Sequence, residues 1–493
     1  MSLTRNIARH TAIQVAGKVL GTLIALVTVS FMLRYLGREG FGEYTTIVTY
    51  LSVFAIFGDL GLYLVTTREI SSTQKAEAQT FLASALGLKL AVAAVLMLLA
   101  MGTVWLIPAY STLVKVGVSA GALSYFFIMA TQVLVGVFQK HFAMHKLALA
   151  EVISRLIWLV GVILAVWQGW SLITILLLIS LAQAVQFVVL YLFARGYYQL
   201  RPTFDWQQWK GILIVAAPLA FSAVFNTIYF KVDTLILRWV DTAEAVGIYG
   251  AAYKVLENLV TFAAIFSGIM LPVLVRGVKS DKKLFKEMYQ RGIDVVAIFM
   301  APLVVGTLFL AEPIIVLFGD AEFAMSAGVL RILIFAVAAI FFAHLTGNAV
   351  VALGKEKMIM WLYLAIAVVA LIGYIIFIPM YSYTAAAVIT VLAECTVFVS
   401  TSIMVWKFGR ARPALRVPLT SLVAAGAMAL VFWLAPGWEF ISVDLAGKAL
   451  SLPTAPFWWQ AVGGVVMYAV VLVLLRGVSL SMIREVVSLR KIN

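Results

Sequence analysis

A chain of 493 residues that is 64% hydrophobic and only 12% charged lies outside the range of water-soluble domains. Its formal charge of +14 would suit nucleic acid, but the placement of the cations assigns them to membrane topology instead. Cys395 is the only cysteine, which excludes an intramolecular disulfide. His10, His141, His145 and His344 show no metal-ligand spacing, so neither a metal nor another cofactor is expected.

Apolar runs of about 20 residues recur along the chain, each long enough to cross about 30 Å of hydrocarbon. Fourteen spans are expected, centred on residues 12–33, 44–66, 80–106, 114–138, 149–166, 171–194, 211–237, 247–275, 293–316, 327–353, 358–378, 383–406, 417–435 and 457–475. Arg5 and Arg9 precede the first run, which lacks a small-residue cleavage site and is read as a retained helix. Pro218 and Pro302 interrupt the seventh and ninth spans, as hinges or as kinks held by neighbouring packing. The loop at 276–291 carries Arg276, Lys279, Lys282, Lys283, Lys286 and Arg291, whereas Glu312, Asp320 and Glu322 mark the opposite side. This asymmetry is the one expected of a multi-pass membrane protein with both termini in the cytoplasm, and the cell's inner (cytoplasmic) membrane is its expected location. The longest connection, 436–456, is too short for a soluble domain, and the basic tail from Ser479 reads either as an amphipathic segment on the inner leaflet or as a solvated charged stretch that only sets topology.

Two stretches read as copies. Residues 30–50 and 234–254 both run from an apolar helix through Arg and an aromatic residue to a polar turn, then Gly-x-Tyr opening the next helix. Arg34 matches Arg238, Gly42 matches Gly247 and Tyr44 matches Tyr249, about 205 residues apart. Ala143-Met-His-Lys146 matches Ala352-Leu-Gly-Lys355, and spans six and twelve end on Arg195 and Lys407. The expectation is an all-α polytopic membrane protein in which two six-helix lobes are related by a parallel pseudo-two-fold, followed by two further helices. The corresponding domains are 1–200, 201–410 and 411–493, the last including the cytoplasmic tail. Duplicated helix bundles of this kind are the usual plan of secondary transporters, with the substrate at the repeat interface.

Ionisable groups inside spans cost about 2.5–3.5 kcal/mol or more at mid-bilayer and mark functional sites by default. Lys18, Lys89 and Lys254 lie deepest among the cations and are the candidates for binding an anionic headgroup. Glu257, three residues after Lys254, pairs with it or shares its cavity. Asp59, near Arg68, and Asp233, within reach of Arg238 or Lys254, are structural pairs or gates. Glu394 has no obvious local partner and is a candidate for ion coupling. Glu151 and Arg155 are set aside as an i,i+4 pair near a helix end.

Several segments together resemble the polysaccharide-transporter branch of the multidrug/oligosaccharidyl-lipid/polysaccharide exporter superfamily, which includes O-antigen repeat-unit flippases. They are Arg34-Tyr-Leu-Gly37 with Phe41-Gly-x-Tyr44, Gly58-Asp-Leu-Gly-Leu62 before Arg68, Asp233 before Val246-Gly-x-Tyr249, Leu317-Phe-Gly319 and Ala352-Leu-Gly-Lys355. Tyr383-Thr-Ala-Ala-Ala387 stands where the family has a Gly-rich opening to span twelve. The resemblance implies a V-shaped pair of lobes around a cationic cavity that binds a polyprenyl-diphosphate-linked oligosaccharide. It implies alternating access coupled to an ion gradient, with membrane lipids and polysaccharide polymerase or assembly machinery as partners. A multidrug antiporter of the same superfamily is the alternative, although the buried cations lean against cationic drugs. A membrane glycosyltransferase or ligase would need a catalytic base, and the longest loop offers only Glu439 and Asp444. No Gly-x4-Gly-Lys-Ser/Thr phosphate loop occurs, which argues against a nucleotide-driven pump. The expectation is a transporter and not an enzyme.

Overall fold

The computed structural model describes residues 3–59, 66, 69–70, 74–141, 143–434, 437, 440–445 and 448–477. The helices among them run α1 Leu3–Asp59, α2 Lys75–Thr103, α3 Thr112–Lys140, α4 Met144–Gln168, α5 Leu172–Arg195, α6 Trp206–Val240, α7 Ala243–Ser280, α8 Lys282–Gly319, α9 Ser326–Ala352, α10 Glu356–Met404, α11 Arg416–Leu434 and α12 Ala455–Leu474. Among the described residues, 11 helices are long and apolar enough to cross a membrane.

Two of these helices each take in two expected spans. Within α1 the backbone breaks at Gly37, whose φ of 64° is available to glycine at little cost. Within α10 it breaks at Ser382, where φ is 52° and a side chain is strained. Pro379 stands one turn earlier, and the Ser382 hydroxyl donates to the Asp241 carboxylate, which holds the break in place. The break thus falls on a serine fixed through its side chain, immediately before Tyr383-Thr-Ala-Ala-Ala387. Gly169, at φ 68°, ends α4 and turns the chain within three residues into α5, whose first turn Ser171 caps.

One feature departs from an all-α reading. The segment expected as plain loop forms a hairpin, β1 Phe440–Leu445 with β2 Lys448–Pro453, antiparallel with Leu445 opposite Lys448. Pairing the strands satisfies backbone groups that a bare loop would leave to water. The basic tail from Ser479 lies outside the described residues, as do Arg68 and the side chain of Asp59.

The chain divides into two compact units, residues 1–250 with 378–382, and residues 251–377 with 383–493. In the first unit, small residues let helices approach. A Cβ on Gly17 of α1 would meet Ala148 of α4 at 2.8 Å, and one on Gly117 of α3 would meet Ile47 of α1 at 2.4 Å. Leu82, Leu86, Val133, Phe138 and Leu190 form a core shared by α2, α3 and α5.

In the second unit, α11 and α12 pack on α8 through Leu310, Met428, Phe432, Phe457 and Leu472. Pro302 in α8 has no N–H for the carbonyl of Ile298 four residues back. The Tyr468 hydroxyl of α12 donates to that carbonyl at 2.7 Å. The vacated acceptor is therefore satisfied from a neighbouring helix, the second of the two readings of this proline. Leu98, Val369, Val465 and other large apolar side chains stay exposed, as lipid-facing positions allow.

Candidate functional site

The cations expected deep in the spans each have a polar partner, but not each an acid of its own. Lys18 of α1 lies 3.4 Å from Glu151 of α4, and the same carboxylate oxygen accepts from Arg155 at 2.7 Å. Gly21 makes room for this arrangement, since a Cβ there would sit 3.2 Å from the Arg155 side chain. Two cations share one carboxylate, so the cluster has a surplus of one positive charge, and the Lys18 side chain is 36% exposed. Sequence reading set Glu151 and Arg155 aside as a local pair. The pair exists, but α1 brings Lys18 to it from 133 residues away.

Lys89 of α2 is wholly buried and donates to the Gly58 carbonyl at 2.7 Å, near the end of α1. Lys254 of α7 pairs with Glu257 at 2.7 Å, as the i,i+3 spacing predicts. Lys18 and Lys89 fall in the first unit and Lys254 in the second. Glu394 is buried in α10 and is not isolated there.

Asp233 is fully buried, but it reaches neither Arg238 nor Lys254. Its carboxylate accepts from the Tyr249 hydroxyl at 2.5 Å and from the Thr234 backbone N–H at 2.6 Å. Tyr249 belongs to the duplicated Gly-x-Tyr, so this aspartate fixes the second copy of that motif.

The two copies meet each other inside the first unit, a contact that sequence reasoning did not foresee. A Cβ on Gly42 would lie 1.8 Å from the carbonyl oxygen of Ala243, and one on Gly247 would lie 2.0 Å from that of Arg38. Positions 38 and 42 of the first copy correspond to 243 and 247 of the second at the shared offset of about 205. The contact is therefore reciprocal, as a two-fold relation between the copies requires. Arg38 pairs with Glu244 across it at 2.6 Å.

Beside this seam, buried Glu43 accepts from Ser111 at 3.0 Å and faces Arg238 at 3.6 Å. Glu43 Oε2 and Arg238 Nε are buried without a hydrogen-bond partner, which leaves this ion pair half satisfied. Tyr110, in the turn before α3, has its hydroxyl pushed up from the usual range, chiefly by burial and then by Tyr50, with Arg238 opposing. The alignment of Arg34 with Arg238 and Gly42 with Gly247 was the available signal, but it does not say that the copies touch.

This arrangement of helices is one that membrane transporters share. It superposes on the lipid II flippase MurJ in an inward closed conformation with a TM-score of 0.77 at 16% identity, covering 94% of this chain and 98% of that one. It superposes on an inward-facing multidrug resistance MATE family transporter of the MOP superfamily at 0.65 and 14% identity, covering 81% and 99%. A MOP superfamily transporter from Pyrococcus furiosus gives 0.56 and 14%, covering 82% and 96%. At these identities the likeness is one of fold. Comparison with curated proteins gives no match.

The sequence model of the family described as "Polysaccharide biosynthesis protein" matches residues 7–278, more than half of the chain, and the MatE model matches 218–376. The chain belongs to the polysaccharide biosynthesis protein family and is a multi-pass membrane protein with the fold of MOP-superfamily transporters.

Proposed function

We propose that the protein moves a polyprenyl-diphosphate-linked oligosaccharide, a repeat unit of a cell-surface polysaccharide, from the cytoplasmic to the outer leaflet by alternating access. The observation that carries this reading is the Lys18–Glu151–Arg155 cluster, with its unneutralised and partly exposed positive charge. Lys and Arg bind phosphate oxygens through charge-assisted hydrogen bonds, and a diphosphate suits the surplus better than a cationic solute would. Lys254, held by Glu257, is a further candidate cation for the headgroup, and Glu257 a candidate acid for ion coupling. Lys89, enclosed against Gly58, acts from behind by holding the end of α1. Asp59, Asp233 and Glu394 are the remaining acids available for coupling or gating.

The charge asymmetry of the loops supports a topology with both termini in the cytoplasm of an inner-membrane protein, in which residues 34–43 lie on the far side. The reciprocal glycine seam is then the outer closure, and its half-satisfied Glu43–Arg238 pair is an interaction that separates at modest cost. Residues 1–200 and 201–410 form the two six-helix lobes, and 411–493 an appended pair with its tail. A polysaccharide polymerase is the natural recipient of the product.

The deciding experiment is leaflet-specific labelling of lipid-linked oligosaccharide in proteoliposomes with wild type and K18A/R155A. The expected result is protein-dependent appearance at the far leaflet, reduced at least about tenfold in the variant, as loss of two charge-assisted contacts implies. Equal rates would remove the cationic site from the mechanism. The MatE match over 218–376 favours a second reading, a small-molecule antiporter. Drug flux without movement of any lipid-linked sugar would establish that reading instead.

A further inference from the structure

At the end of α10 the helix does not stop cleanly. Val405–Gly409 form a π-turn, and Arg410 follows in the left-handed region at φ 50°. Such turns add a residue to the helix and re-aim the side chains that follow, and they occur often at binding sites. Gly409 is required here, because a Cβ would lie 2.8 Å from the ring of Phe285. Gln290 of α8 then clamps the departing chain, accepting from the Ala414 N–H at 2.6 Å and donating to its carbonyl at 3.0 Å. The backbone from 405 to 414 is thereby fixed against α8.

What this produces is a cleft of about 540 Å³. Phe398, Val399, Ile403 and Trp406 form its apolar wall, Tyr289 its base, and Arg412 its rim. The volume lies within the roughly 300–1,000 Å³ of ligand sites. The Arg412 guanidinium stacks over the Trp406 ring at 4.6 Å, which orients it at the mouth. Between 405 and 416 the chain carries Lys407, Arg410, Arg412 and Arg416 and no acid. Arg410 and Arg412 are both exposed.

The first copy provides a contrast. There Lys146 lies 4.7 Å over the Tyr197 ring, as Lys355 lies 5.2 Å over Phe408 in the second copy. At the first site, however, the space is filled: His141 stacks on Tyr197 at 4.3 Å, and Tyr198 is buried. The second copy keeps the cation-over-aromatic pair and opens a cleft beside it.

We propose that this cleft binds one anionic glycerophospholipid, with an acyl chain along Phe398, Val399 and Ile403 and the phosphate between Arg412 and Arg410. An apolar groove whose one charged lining residue is Arg412, with exposed Arg410 two residues before it, matches an acyl chain joined to an anionic headgroup, and basic pockets between membrane helices recognise such lipids. The site is separate from the transported substrate and stands whether or not the transport reading holds; only its assignment to the cytoplasmic leaflet rests on the proposed topology.

The test uses full-length protein in phosphatidylcholine nanodiscs doped with a diazirine-bearing phosphatidylglycerol, with cross-linked peptides mapped by mass spectrometry. Cross-links are expected to concentrate on 398–406 and to fall about 25-fold in R410Q/R412Q, taking about fivefold for each cation removed. Ile403→Trp, which fills the groove and keeps the charges, is expected to abolish them. Arg195→Gln, at the corresponding end of the first copy, leaves them unchanged. Cross-links spread evenly over exposed helices, or equal capture of a diazirine phosphatidylcholine, would overturn the proposal. Full competition by soluble glycerol phosphate would do so as well, since the ligand would then be a free phosphate. Thermal melting of each variant separates loss of binding from loss of fold.

Discussion

Adding one methyl group to Gly247 tests the seam directly. The new Cβ would stand 2.0 Å from the Arg38 carbonyl oxygen, and contacts of this kind are essentially never below 3.0 Å. The two copies must therefore separate by about 1 Å, because the obstructing atom is backbone and has no rotamer to change. Overpacking of this size costs about 1–3 kcal/mol, charged only to the state in which the seam is closed. The closed-to-open ratio then falls about 5- to 150-fold. Cys395→Ser gives a cysteine-free background, since no other cysteine occurs. Thr45, 7% exposed and packed beside Gly250, serves as the reporter when replaced by cysteine. Labelling by a membrane-impermeant maleimide is expected to rise within the same 5- to 150-fold range in Gly247→Ala. Gly42→Ala should behave alike, with its Cβ 1.8 Å from Ala243, whereas Gly102→Ala, with nothing within 4 Å, should not. Unchanged labelling in both seam variants, with normal melting, would refute the view that this contact closes and opens.

Three further outcomes are expected. Ser382→Ala keeps the strained φ and loses the bond to Asp241, a cost of about 1–2 kcal/mol in detergent melting, while Ser382→Gly relieves the strain and costs less. Tyr468→Phe leaves the Ile298 carbonyl without a donor and lowers stability by about 1–3 kcal/mol; an unaltered melting curve would mean that another group takes its place. His141, between α3 and α4, has its pKa lowered, first by burial and then by Lys140 and Lys75. Its folded pKa lies below the unfolded value, so its contribution is complete above the ordinary histidine value of about 6.5 and is lost as pH falls from there through the folded pKa. Melting temperature should accordingly drop below pH 6.5 in wild type and drop less in His141→Gln, measured at constant ionic strength.

The helices were legible because membrane spans write themselves as local runs of apolar residues, and the turn between the first two spans because it holds Gly37. Local pairs were legible for the same reason: Lys254 with Glu257 and Glu151 with Arg155 need only helix geometry. What depended on which helix lies beside which was not legible. Lys18 reaches Glu151 from another helix, and Asp233 chose Tyr249 over the cations that its charge seemed to demand. The seam illustrates the limit best. Matching glycines were visible as a repeat, yet a repeat states equivalence and not contact. The hairpin after α11 was missed because polarity and length separate a loop from a helix more readily than from a short strand pair.

The bond from Tyr468 to Ile298 gives the last helix a history as well as a place. A proline at position 302 without a donor nearby strands a carbonyl in hydrocarbon, at a cost of several kcal/mol. A tyrosine at 468 facing an intact helix costs little by comparison. The less costly route therefore has the hydroxyl in position first and the proline arriving under its cover. With both present the dependence runs one way: Pro302→Ala would make the Tyr468 hydroxyl dispensable, whereas losing that hydroxyl while Pro302 remains strands the Ile298 carbonyl. The sequence of α8 at position 302 is thus conditional on a hydroxyl supplied by α12, more than 160 residues later in the chain.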